Sequence, residues 1–254
     1  MAKANFIRSQ LLDRHGITGI FSLRNGGVSP PPFDSQNFGP DPGDSDRFIE
    51  QNLVGLMQSA ALTCLPHQAN QVHKTALLWC SGKGKMHSQQ ADILMANRNN
   101  TAVAVRVADC LPILLADPEA GIVAAVHAGW RGTAASIVKT AVEAMLKHGA
   151  QHEKLLAALG PCIGPCCFAI GNDTAEALIK STAGANDCLI HTSEIHADLA
   201  EINVLQLIDA GLNKSHIEVH KACTACHPED FFSFRRDGNQ SGRQLAVVAT
   251  PPTT

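Results

Sequence analysis

Residues 103–136 read VAVRVADCLPILLADPEAGIVAAVHAGWRGTAAS. The run reads as two buried strands, the first ending at Asp109 and Cys110 and the second at His127. The glycine turn AGWRG then opens a helix. A thiol and an imidazole thus stand at the ends of neighbouring strands, beside the free backbone N–H groups of a helix start. Soft thiolate, imidazole and N–H donors in one place suit a metal ion or a reactive nucleophile together with an anionic substrate group.

Working outward from this run, the following stretch TAASIVKTAVEAMLKHG predicts one helix. Its buried stripe is Ile137, Val138, Ala141, Val142 and Met145, and Gly149 stops it. Upstream, residues 17–24 predict a strand and the Gly/Pro-rich residues 25–43 a loop. A helix follows, capped by Asp44 or Ser45, with Phe48, Ile49, Leu53, Leu56 and Met57 on one face. Pro66 separates a short apolar piece from QVHKTALLW, read as a strand carrying Gln71 and His73. Residues 80–90 read as a polar, hairpin-like excursion, and Asp92 precedes another apolar stretch. Downstream come a strand in LLAALG, a helix capped by Asn172 or Asp173, a helix in ADLAEINVLQLIDAGLN, a short strand in HIEVHK and a closing strand in RQLAVVAT. Strands alternate with helices but also come in adjacent pairs. That pattern predicts an α+β fold, a single domain over residues 1–254 of layered α/β with mixed β-sheets, rather than a purely doubly wound one.

The bulk properties narrow the function. The chain has 254 residues, 45% of them hydrophobic, and a formal net charge of -3, enough for a real core and without the basic footprint of a nucleic-acid or membrane-surface binder. Neither a secretory leader nor an apolar run of the roughly 20 residues a spanning helix needs is present, so a cytoplasmic protein is expected. Its nine cysteines are expected to be reduced and mostly buried. The chain lacks tyrosine, which excludes tyrosyl redox chemistry.

Three soft or borderline ligands end or interrupt apolar strands: His73, Cys110 and His127. Two imidazoles and a thiolate make a three-ligand set for Zn²⁺ with one position open, a site that lowers the pKa of bound water towards ~7. Copper tolerates the same set. Without a metal, Cys110 would be a nucleophile and a histidine its base. Spacing alone also allows three unrelated core residues. AGWRGT resembles an anion cradle, with Gly129 and Gly132 permitting close backbone approach and Arg131 adding charge. Arg24, Asn37 and Gln71 are further candidates for lining a pocket, and Arg235, with Arg236 after the aromatic run FFSF, for reaching a phosphate or carboxylate. Cys223, Cys226 and His227 match the C-x-x-C-H haem-attachment pattern, which a chain without an export signal makes a poor fit. Cys223 and Cys226 could instead join Cys162, Cys166 or Cys167 in a structural zinc site or a redox pair.

RNGGVSPPPF, QVHK, VADCLPILLAD, VAAVHAGWRGT, LGPCIGPCCF and FFSFRRDG, in this order, resemble the laccase-domain or polyphenol oxidase family, over roughly residues 15–250. The resemblance implies layered α/β with mixed sheets in a cysteine-hydrolase-like α/β/β/α arrangement. It implies a zinc site at His73, Cys110 and His127, with copper as the other candidate. It implies phosphorolysis of adenosine, inosine, guanosine and methylthioadenosine and hydrolytic deamination of adenosine, so purine nucleosides and phosphate as partners. The oligomeric state is not readable from the sequence, and a monomer is favoured. In deamination, zinc would activate water against C6 of adenine. In phosphorolysis, phosphate would sit near Arg131, with Arg24 or Arg235 in support, while Asp109 orients the site. Copper-dependent oxidation of polyphenols and editing of peptidoglycan precursors belong to the same family, and a non-enzymatic metal- or nucleotide-binding protein is the remaining class. The sequence departs from the family pattern at Lys74 (usually Gly), Val107 (usually Thr) and Cys162 (commonly Ser), none of them a predicted ligand.

Overall fold

The computed structural model describes residues 5–40 and 43–250. Residues 41 and 42 of the Gly/Pro-rich loop and the Pro/Thr tail lie outside the described residues. In chain order the first half runs β1 (Phe6–Arg8), α1 (Gln10–Arg14), β2 (Thr18–Ser22), α2 (Asp46–Ala60), β3 (Pro66–Asn70), β4 (Leu77–Trp79), β5 (Met86–Gln90), β6 (Ile93–Ala96), β7 (Ala102–Val107), β8 (Leu111–Asp117) and β9 (Ile122–Ala128). The second half runs α3 (Trp130–Ala134), α4 (Ile137–Lys147), β10 (Leu156–Leu159), β11 (Ala169–Ile170), α5 (Asn172–Ile179), β12 (Leu189–His191), β13 (Ile195–Ala197), α6 (Leu199–Asp209), β14 (Ile217–Val219), α7 (Phe234–Asp237) and β15 (Gln244–Ala249).

Two six-stranded sheets form, ordered β1-β2-β15-β7-β3-β5 and β14-β10-β8-β9-β6-β4, with a small third sheet β11-β13-β12. Both large sheets are mixed: β8 and β9 pair antiparallel, β3 and β7 parallel. The expected α+β fold with mixed sheets is what the chain adopts. The layering follows from strand parity. In β7, Val103 and Val105 turn towards the second sheet, where they meet Leu114 and Ala116 of β8 and Val123 and Ala125 of β9. The intervening Ala102 and Ala104 turn the other way, onto Leu56 and Ala60 of α2. Ile113, Leu115, Ala124 and Val126 leave the second sheet on its far face, against Ile137, Val138, Ala141, Val142 and Met145 of α4 and Val204 and Leu207 of α6. The order is therefore helix, sheet, sheet, helix. Strands covered on both faces are apolar at nearly every position, which is why they show no alternation in sequence.

Several local expectations are corrected. The run 103–136 builds three strands, because the chain turns after Val107 and Cys110 immediately precedes β8 rather than ending β7. At residues 108–110 the chain crosses from the first sheet to the second, with Asp109 at φ +82. The predicted single helix after Gly132 is two, broken at Ser136 (φ +56). There Gln206 of α6 donates to the Thr133 carbonyl at 2.8 Å, an acceptor that a continuing helix would use, and Asn203 donates to Thr133 Oγ1 at 2.9 Å. QVHKTALLW is a strand only over Leu77–Trp79; PHQAN, starting at Pro66, is the preceding strand, since a strand's first position tolerates proline. Residues 86–90 form an exposed edge strand parallel to β3 rather than half of a hairpin. Gly171, not Asn172 or Asp173, caps α5. At α2 the Ser45 hydroxyl accepts from Phe48 N at 3.4 Å, as expected of a cap.

Leu114 is fully buried between the sheets. Leu114→Ala should lower unfolding stability by about 2–5 kcal/mol in urea titration, without changing the metal content of the folded protein.

Candidate metal centre

The register of three strands builds the site. β9 lies between β8 and β6, with Pro112 opposite His127 on one side and Ile93 opposite Val126 on the other. Cys110 and Asp92 each precede the first residue of a flanking strand, so they bracket His127. The fourth member arrives by loop. His73 lies between β3 and β4 in a left-handed conformation (φ +58). That loop is tied to the Asp92 carboxylate, which accepts backbone N–H groups from Val72 (3.2 Å), His73 (3.0 Å) and Lys74 (2.9 Å). The same carboxylate accepts His127 Nδ1–H at 2.8 Å, and His127 N donates to the Asp92 carbonyl at 2.8 Å.

His73, Cys110 and His127 converge: one ligand atom from each lies within 4.8 Å of the others. The imidazoles meet edge to face with centroids 4.8 Å apart. With Nδ1 of His127 engaged by Asp92, its Nε2 is the nitrogen left for a cation, the carboxylate–histidine arrangement that orients metal ligands. Gly129 completes the cradle. A Cβ there would lie 3.0 Å from Cys110 Sγ and 3.1 Å from His73 Cδ2, so a side chain would press on both ligands.

The electrostatics suit a cation. Burial pushes the Cys110 thiol up, but the His127 charge and hydrogen bonds from His127 and His73 outweigh it and bring the thiol down to about 6. Burial pulls His127 down, and the Cys110 thiolate and the Asp92 carboxylate overcome it, raising the imidazole to about 9. Asp92 pays its own burial penalty, yet its hydrogen bonds to His127 and to the Lys74 and Val72 N–H groups hold it below the usual carboxylate range. Without an ion the site is a thiolate–imidazolium pair backed by a carboxylate. A soft or borderline cation would replace the shared proton and gain two imidazoles and one thiolate, a donor set suited to zinc and accepted by copper. The residues fit such an ion.

The trio lies in a cavity of about 470 Å³, shared with Gln71, Arg106, Asp109, Phe168, Phe234, Arg235 and Arg243. Arg235 lies over the Phe168 ring at 5.4 Å and Arg243 over Phe234 at 5.8 Å. Asp109 is buried in the wall, accepting from Thr224 Oγ1 and from Arg235 N, each at 2.6 Å. Gln71 clamps the Arg106 backbone, donating to its carbonyl at 2.7 Å and accepting from its N–H at 2.8 Å.

The other sequence candidates lie outside this lining. Arg24 pairs with Asp34 at 3.1 Å and donates to the Pro228 carbonyl, tying two surface loops. Asn37 is fully buried and accepts from Arg243 N at 2.8 Å, so it reaches the cavity only through its neighbour. Arg131 is exposed and stacks on Trp130 at 4.3 Å, away from the cradle where the glycine motif put it. The sequence reading missed Asp92 as an organiser, along with Arg106, Arg243, Phe168 and Phe234. Arg106 carried a signal, as the charged interruption of the apolar strand AVAVRV; Arg243, at the head of an apolar strand, carried a weaker one.

Comparison with known proteins adds to this geometry. A family profile described as multi-copper polyphenol oxidoreductase laccase matches residues 18–251. A Shigella flexneri protein named purine nucleoside phosphorylase YfiH is 36% identical over 92% of this chain and 93% of its own length. A protein of an unknown prokaryote named adenosine deaminase RL5 is 40% identical over 62% of this chain and 61% of its own. The crystal structure of Bacillus licheniformis YfiH superposes with a TM-score of 0.87 at 26% identity, covering 97% of this chain and 96% of that one.

Two outcomes follow from the geometry. Asp92→Asn keeps the size of the side chain but removes its charge, and should weaken metal affinity by about 10–100-fold in competitive chelator titration. In metal-stripped protein Cys110 is a thiolate above about 6 and a thiol below it. Its alkylation, followed by peptide mass spectrometry, should therefore rise through that pH, well below the ~8.5 of an ordinary thiol, and should be suppressed when metal is restored.

Proposed function

Because the chain belongs to the family described as multi-copper polyphenol oxidoreductase laccase, we propose that it is a zinc-dependent enzyme of purine nucleosides, catalysing phosphorolysis of adenosine, inosine, guanosine and methylthioadenosine and hydrolytic deamination of adenosine. The observation that carries this reading is the His73, Cys110 and His127 cluster at a cavity that also holds three arginines and two phenylalanines. The names of two relatives, a purine nucleoside phosphorylase and an adenosine deaminase, support it.

Each part of the cavity has a task in that chemistry. The rings of Phe168 and Phe234 offer flat apolar surface to a purine. Arg235, Arg243 and Arg106 offer guanidinium groups to phosphate and to charge that develops as the glycosidic bond breaks. This moves the proposed phosphate position from Arg131 and Arg24 to the arginines that line the cavity. Held by His73, Cys110 and His127, zinc supplies Lewis acidity and lowers the pKa of bound water towards ~7. Asp92 fixes the His127 tautomer and the His73 loop. Asp109, with both carboxylate oxygens engaged, anchors the backbone of Arg235 and so acts as a positioning group. The abundance of thiols suits a reducing cytoplasm.

The test is product analysis. Purified protein incubated with adenosine and phosphate should release adenine and ribose 1-phosphate; without phosphate it should yield inosine only. Cys110→Ala should lower both rates at least 100-fold while the protein stays folded. Full turnover by this variant, or oxygen consumption with phenols and several coppers per chain in place of nucleoside turnover, would contradict the proposal.

A further inference from the structure

Four of the remaining cysteines meet on the far side of the cavity wall. The Sγ atoms of Cys166, Cys167, Cys223 and Cys226 all lie within 4.8 Å of one another. Cys226 Sγ is 3.5 Å from that of Cys166 and 3.4 Å from that of Cys167. From the groups gathered there we infer a second metal site, a tetrathiolate for a soft divalent cation of the zinc type, which staples the loop 160–170 to the loop 222–236.

Size is the first argument. Zinc–sulfur bonds of about 2.3 Å put the sulfurs of a tetrahedral site about 3.8 Å apart. A disulfide would bring two of them to about 2.05 Å and leave the other two without a role. The four sulfurs lie near the dimension of the ion's coordination sphere. Cys223 and Cys226 also have the two-residue spacing of structural zinc ligands.

Backbone N–H groups converge on one of the sulfurs, that of Cys223. Gly164 N donates to Cys223 Sγ at 3.2 Å, and the N–H groups of Ala225 and Cys226 are directed at the same sulfur. A residue with a side chain at Gly164 would crowd the cluster, since a Cβ there would lie 3.2 Å from Cys223 Cβ and 3.4 Å from Cys166 Sγ. Four thiols release four protons on binding a divalent ion, leaving a net charge of minus two. Two arginines brace the backbone that carries the cysteines, Arg236 being itself paired with Asp237 at 2.7 Å. Arg235 donates to the carbonyls of Cys167 (3.1 Å) and Ala169 (3.2 Å), and Arg236 to those of Thr224 (3.0 Å) and Ala225 (3.4 Å).

The site's consequence is positional. The loop 160–170 carries Ile163 and Phe168 to the cavity, and the loop 222–236 carries Phe234 and Arg235. Thr224, between the two ligands of the C-x-x-C pair, hydrogen-bonds Asp109. An ion that joins these loops fixes the wall opposite the first centre. The cysteines are separate from that centre, so the inference does not depend on what the enzyme turns over.

The test counts ions and reads their ligands. Wild-type protein saturated with Zn²⁺ and desalted should hold two ions per chain. Cys110→Ser should hold one, and with Co²⁺ that ion should give the intense near-ultraviolet sulfur-to-cobalt absorption of four thiolates. Adding Cys223→Ser should remove the absorption. Hydrogen exchange in residues 160–170 and 222–236 should slow when the Cys110→Ser chain takes up its ion. If Cys223→Ser fails to fold, the wild-type and Cys110→Ser measurements stand alone. Saturation at one ion per wild-type chain, a cobalt spectrum lacking four-thiolate intensity, or a 2-Da mass loss marking a disulfide among these cysteines would each overturn the inference.

Discussion

One buried carboxylate governs the centre of this protein. Asp92 is fully buried, and such a charge is tolerated only where hydrogen bonds replace the lost water. It receives four, three from the backbone of the His73 loop and one from the His127 ring. A loop and a strand that would otherwise move independently are thereby fixed to a single group. The candidate ligands His73 and His127 share one support, and Cys110 stands just before the neighbouring strand at the matching register. The geometry is thus set before any ion arrives, which lowers the cost of ordering the ligands.

Much of this was legible in the chain. The three ligands stood out because histidine and cysteine are conspicuous beside long apolar strands, and the layered fold followed from strands and helices in mixed order. What could not be read was contact across the sheet. Asp92 looked like an ordinary polar residue ahead of a strand; only the pairing of β6 with β9 brings it to His127. QVHK read as extended chain because the N–H groups of Val72, His73 and Lys74 find their acceptor about twenty positions later in sequence. The helix after Gly132 read as continuous because the amides that interrupt it, Asn203 and Gln206, come from α6. Arg131 and Arg24 were credible from charge and glycine context alone. The fold turns Arg131 onto Trp130 and commits Arg24 to Asp34, while Arg106 of β7 and Arg243, which immediately precedes β15, meet at the cavity instead.

The cavity stands at the junction of the two large sheets, where the chain crosses from β7 to β8. One side presents thiolate and imidazole; the other presents guanidinium groups stacked near phenylalanines. That opposition matches a substrate with an aromatic base and an anionic co-substrate, and it explains how one scaffold can host relatives named for phosphorolysis and for deamination. Two imidazoles and a thiolate suit zinc and copper alike, so ligand identity leaves the reaction to be set by the rest of the cavity.

The most direct measurement of the central claim is anomalous diffraction at the zinc absorption edge from crystals of the metal-loaded protein. The account predicts a peak in bonding contact with His73, Cys110 and His127 together, with Asp92 still hydrogen-bonded to His127 Nδ1. A map in which zinc-loaded protein has no peak among these three side chains, or in which His127 has turned its ring away from Asp92, would contradict it.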